Sequence, residues 1–108
     1  MKSNEYQQLA LRTLAAGLSP RDRLINAALG LNGEAGEFAD PVKKHLFHGH
    51  PLDRDALLKE LGDVLWYVAL ACDTLDTSMD EVMATNIEKL RRRYPEGFSS
   101  ERSQQRSE

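Results

Sequence analysis

One cysteine, Cys72, stands in a chain of 108 residues, so no intrachain disulfide can form and packing must hold the fold. It lies in the apolar run VALACDTL, where a buried, inert thiol is expected, and its solitude points to a reducing, cytoplasmic setting. No run of about 18 apolar residues is present to span a bilayer, and no signal-peptide core opens the chain. Neither a membrane protein nor a secreted one is expected. Positive charge is also in short supply, because 14 Lys and Arg against 17 Asp and Glu give a net charge of -3. That balance removes a general attraction for DNA or RNA. Strand-type alternation, internal repeats and long linkers are missing. So are G-x-S-x-G, P-loop and CxxC patterns, and Cys72 has no basic neighbour in sequence to lower its pKa, so covalent nucleophilic catalysis finds no support.

What is there is helical, in one domain. A chain this short makes a marginal monomer, so burial in an oligomer is a reasonable expectation. Ser3 is placed to cap a first helix through EYQQLALRTLAA, interrupted at Gly17. Ser19, Pro20 and Asp22 open a second, running through LINAALGLNGEAGEFAD toward His45. Pro41 lies inside it, and an interior proline costs about 3 kcal/mol, so a kink or break is expected near residues 37–41. FHGHPL reads as a loop, after which Asp53 caps a third helix through DALLKELGDVLWYVALACDTL. Ser78 with Glu81 forms a capping box for a fourth, ending at Pro95 and Gly97. Residues 1–98 make up the domain, and the polar tail 99–108 is expected to be disordered. The fold class is all-α, a four-helix bundle-like domain with a kinked second helix.

Two acidic pairs stand out, Glu34 with Glu37 and Glu60 with Asp63, each at i, i+3 spacing. On a helical wheel both pairs sit at the margin of an apolar stripe, where two packed helices can turn them into one cleft. Read alone, such pairs suit a solvated face equally well. Four clustered carboxylates would need cations, and oxygen ligands suit Mg²⁺, with Mn²⁺ able to substitute. On the fourth helix Asn86, Lys89 and Arg93 share one face beside the stripe Met79, Met83, Ile87 and Leu90, within reach of phosphate oxygens at such a metal site. Lys44 falls in the sector of Glu34 and Glu37, and Tyr67 lies one turn beyond Asp63. His45, His48 and His50 cluster before Pro51, where they edge the cleft or cover a helix end more readily than they bind zinc.

Taken together, EYQQLALRT, GLNGEAGEFAD, KKHLFHGH, LLKELGDVLWYVA and NIEKLRRRYPEGFS resemble, in order, the MazG-like all-α nucleotide pyrophosphohydrolases. The resemblance covers nearly everything but the tail. It implies a helical bundle assembling as a homo-oligomer, a dimer or a tetramer built as a dimer of dimers, with active sites near subunit interfaces. It also implies Mg²⁺-dependent hydrolysis of a nucleoside triphosphate to the monophosphate and pyrophosphate, in house-cleaning or pool control. By position, Glu34, Glu37, Glu60 and Asp63 would be metal ligands, with Glu34 or Glu37 holding the attacking water. Lys44, Tyr67, Asn86, Lys89 and Arg93 would bind phosphates or sugar, and the first-helix residues Tyr6, Ala10 and Thr13 would border the base. Pro41 replaces the aliphatic residue expected at its position. Two other readings share these residues: an enzyme like phosphoribosyl-ATP pyrophosphatase, and a helical module that senses nucleotide without hydrolysing it.

Overall fold

A computed structural model of the chain describes residues 1–106. Among them the order is α1 (Ser3–Leu11), α2 (Pro20–His48), α3 (Arg54–Thr74), α4 (Met79–Arg93) and α5 (Ser100–Gln104), with no strand. The all-α class is as expected.

Local chemistry sets the helix starts. Ser19 Oγ accepts from the Asp22 N–H at 3.1 Å, with Pro20 at the first helical position. Asp53 Oδ1 accepts from the Ala56 N–H at 3.1 Å, and Ser78 Oγ from the Glu81 N–H at 3.2 Å. Each bond satisfies an amide that an uncapped helix leaves without a partner. At α1 the cap is Lys2 rather than Ser3, and no side chain bonds there. Gly49 closes α2 in the left-handed region at φ 71°, which glycine adopts without a Cβ penalty.

α2 is one continuous helix of 29 residues through Pro41, so the chain does not break near residues 37–41. Pro41 has no N–H to give the Glu37 carbonyl, but this is one bond in a helix packed lengthwise on α3, and the packing outweighs it. The tail also differs from expectation. Ser99 Oγ accepts from the Arg102 N–H at 3.3 Å and starts the single-turn α5, whereas Ser107 and Glu108 lie outside the described residues.

The core sits where α1 crosses α3 and the start of α4. Ala69, Cys72 and Met79 are buried there, with Tyr6, Ala10 and Val68 packed around them. Burial raises the pKa of the Cys72 thiol, in keeping with an inert group. Buried Gln7 ties the corner together: its Nε2 donates to the Thr77 carbonyl at 3.2 Å, and its Oε1 accepts from the Met79 N–H at 2.7 Å. An ion pair of Arg23 with Asp73 links α2 to α3 further along.

Beyond that corner the chain is open. Its radius of gyration is 17.0 Å, against about 13 Å for a compact domain of 100 residues. α4 meets α1 and α3, but of its stripe only Met79 is buried, while Met83, Ile87 and Leu90 remain exposed. Within one chain, then, that apolar face does not close into a bundle. No helix among the described residues is long and apolar enough to cross a membrane.

Candidate metal centre

The α2–α3 hairpin brings three of the four carboxylates together. Glu34 on α2 and Glu60 and Asp63 on α3 each offer an oxygen within 4.8 Å of the others, with both glutamates half-buried and Asp63 exposed. Three negative groups this close oppose one another's ionisation. Accordingly the pKa of Glu34 is raised, first by loss of solvent, then by the charge of Asp63, a hydrogen bond with Glu60, and the charges of Glu60 and Glu37. All the donors are hard oxygens, which fits a Mg²⁺-type ion and does not fit a soft metal.

Glu37, the fourth residue of the acidic set, lies outside this trio, although its charge acts on both Glu34 and Lys44. Lys44 is on the same stretch of α2, but its ammonium is held 2.7 Å from Asp40 Oδ2 across Pro41. That contact raises the pKa of Lys44 and lowers that of Asp40.

Tyr67 stands at the trio. With Glu34, Asp63 and Trp66 it lines an open cavity of about 310 Å³. Its ring lies flush on Gly30 of α2, where a Cβ would fall 2.1 Å from Tyr67 Cε1. Sequence reasoning missed Gly30, which only close helix packing reveals. It also missed Trp66, although a position three residues after Asp63 on a helix shares its face.

Of the three residues expected to border the base, Tyr6 and Ala10 lie on α1 and Thr13 in the turn after it, and they meet this site in different ways. Tyr6 donates to the Gly62 carbonyl at 3.4 Å, and its pKa is raised by burial and by the charge of Asp63. Ala10 and Thr13 touch Trp66 instead. The indole N–H donates to the Ala10 carbonyl at 3.0 Å and to Thr13 Oγ1 at 2.8 Å.

The basic row is elsewhere. Asn86 and Lys89 border a cavity on α4 with Thr77, Glu81 and Met83. Arg93 faces α5 in another, beside Arg92, Ser99 and Arg102. A single chain therefore does not join these three residues to the acidic trio. The histidines serve the end of α2, where a ring nitrogen of His45 lies 2.8 Å from the His50 carbonyl oxygen. Among the described residues no histidine joins a group of three metal-ligating side chains.

Residues 24–98 match the model of the MazG nucleotide pyrophosphohydrolase domain. The chain is also similar to the Gene 37 protein of Mycobacterium phage L5, at 44% identity over 78 residues, covering 68% of each chain. No solved structure matches it.

Proposed function

The chain belongs to the MazG nucleotide pyrophosphohydrolase family, and on that premise we propose that it hydrolyses a nucleoside or deoxynucleoside triphosphate to the monophosphate and pyrophosphate. The observation that carries this reading is the trio of Glu34, Glu60 and Asp63, oxygens within 4.8 Å from two helices. Its charge repulsion is what a divalent cation relieves. Mg²⁺, or Mn²⁺ in its place, would be held by these three with Glu37 beside them, and when bound it supplies positive charge to the phosphate oxygens.

The chain's own residues carry the remaining steps. Glu37 stands outside the trio, so its carboxylate is the one left to orient a water and take its proton as the oxygen adds to phosphorus. The bridging P–O bond breaks, and pyrophosphate leaves with the electron pair. Cationic and amide donors then offset the charge on the departing oxygens. Lys44, once free of Asp40, and the Tyr67 hydroxyl supply donors from the α2–α3 side. Asn86, Lys89 and Arg93 complete the set from α4 of a second copy.

That last assignment requires a homo-oligomer, a dimer or a tetramer built as a dimer of dimers. It is supported by the uncovered α4 stripe, with Met83 54% and Ile87 47% exposed, and by Leu29 on α2 at 70%. Apolar area of that extent on a short chain is characteristic of interfaces. The setting is the cytoplasm and the role is control of the nucleotide pool.

The test follows pyrophosphate release from a panel of triphosphates with Mg²⁺ and with Mn²⁺. Glu37→Gln and Asp63→Asn should each abolish release while circular dichroism remains helical. Undiminished turnover in both variants would overturn the reading. A sizing measurement checks assembly, and a stable, active monomer would refute the shared site.

A further inference from the structure

We propose that the indole ring of Trp66 is the platform on which the substrate's nucleobase stacks. The proposal rests on the triphosphate reading above and adds the group that receives the base. Trp66 is half-buried and lines the cavity that holds Glu34, Asp63 and Tyr67. A triphosphate engaged at the trio therefore has an aromatic wall next to it.

The ring is fixed in place by its own hydrogen bonds. Its N–H is shared between the Ala10 carbonyl and Thr13 Oγ1, and the Thr13 hydroxyl in turn donates to the Ala10 carbonyl at 2.7 Å. The Trp66 and Tyr67 rings make a T-shaped contact, with centroids 5.0 Å apart and planes at 80°. With its donor used internally, Trp66 has only its π surface to offer a ligand. Stacking needs no more, because every base has a π face. Such a platform holds the base without reading its edge, so choice among bases falls to other groups. Thr13 and Ala10 then act as positioning residues, working through Trp66 rather than touching the base.

The chain contains one tryptophan, so its emission reports this ring alone. Full-length protein with Mg²⁺ is titrated with an α,β-methylene deoxynucleoside triphosphate, which resists cleavage at that bridge, and separately with inorganic tripolyphosphate. Calorimetry measures the binding of each. Both should bind, and only the nucleotide should change the Trp66 emission. Trp66→Leu should weaken nucleotide binding by about ten- to a hundredfold, the range of one aromatic–base stack, and leave tripolyphosphate affinity as it was. Trp66→Phe, which keeps an aromatic face, should retain most of the affinity. Because Trp66→Leu also removes the bonds to Ala10 on α1 and to Thr13 just after it, the wild-type titration carries the test whether or not that variant folds. Nucleotide binding without a change in emission, or an equal change from tripolyphosphate, would overturn the platform. If neither ligand binds, the triphosphate reading itself fails and the platform falls with it.

Discussion

Replacing Gly30 with alanine separates packing from chemistry at the candidate site. A Cβ there would lie 2.1 Å from Tyr67 Cε1 and 2.3 Å from Cζ, whereas ordinary contact begins at 3.4 Å. The ring must therefore retreat by 3.4 less 2.1, about 1.3 Å. Trp66 stands against Tyr67 in a T-shaped contact, which limits how the tyrosine ring can turn aside. Alanine gains about 1 kcal/mol over glycine inside a helix, and overpacking costs about 1–3 kcal/mol, so the net loss of stability should be about 0–2 kcal/mol. Activity should suffer more, because a misplacement of about 1 Å can cost about 10²-fold in rate. The assay pairs urea denaturation with pyrophosphate release. Gly30→Ala should stay helical, lose at most modest stability, and lose about ten- to a hundredfold in kcat/KM. In a Tyr67→Ala background the same change meets no ring, and should be neutral or stabilising by about 1 kcal/mol. Wild-type turnover in the single variant would refute the argument, as would the same stability penalty in both backgrounds.

The electrostatics of Glu34 give a signed pH dependence. Its folded pKa is above the ordinary 4.5, so in metal-free protein its contribution to stability is fully present below that value and is lost as pH rises through the raised one. Melting temperatures in EDTA should fall across that window, Glu34→Gln should flatten the profile, and saturating Mg²⁺ should abolish the fall; a profile unchanged by Glu34→Gln would contradict the coupling. Releasing Lys44 from Asp40 with Asp40→Asn should lower KM for the triphosphate with kcat changing less, and a raised KM would show that the pair orients Lys44 rather than restraining it. Ser19→Ala should cost about 1 kcal/mol in urea denaturation at fixed protein concentration, without altering KM.

How far the sequence could be read depended on the range of the forces involved. The starts of α2, α3 and α4 were legible because Ser19, Asp53 and Ser78 act on amides three residues away. The acidic pairs were legible for the same reason, since i, i+3 spacing fixes which residues share a face. Glu37 shows the limit of that rule: the spacing puts it on one face with Glu34, but the closeness of the trio, which leaves Glu37 out, depends on how α2 seats on α3. At Pro41 the sequence shows only the bond that is removed, while the packing on α3 that keeps α2 continuous is tertiary. Trp66 is the sharper omission, because its orientation depends on Ala10 and Thr13, more than fifty residues earlier. Nor can a wheel say whether the stripe on α4 closes on its own chain.

Charge and burial together give that stripe its meaning. The hairpin carries Glu34, Glu37, Glu60 and Asp63, and its nearby cation, Lys44, is engaged by Asp40. The last turn of α4 carries Arg91, Arg92 and Arg93 next to Lys89. In one chain Glu34 and Asp63 line one cavity, while Lys89 lines a second and Arg92 and Arg93 a third. On the proposed reading, the contact that covers Met83, Ile87 and Leu90 in a second copy also brings the cations to the carboxylates. Apolar burial would supply most of the affinity, and the charges would fix the register, since charged groups across an interface contribute more to specificity than to raw affinity. Assembly and catalysis would then depend on one contact, and an isolated chain would hold the acidic half of a site that hydrolyses nothing by itself.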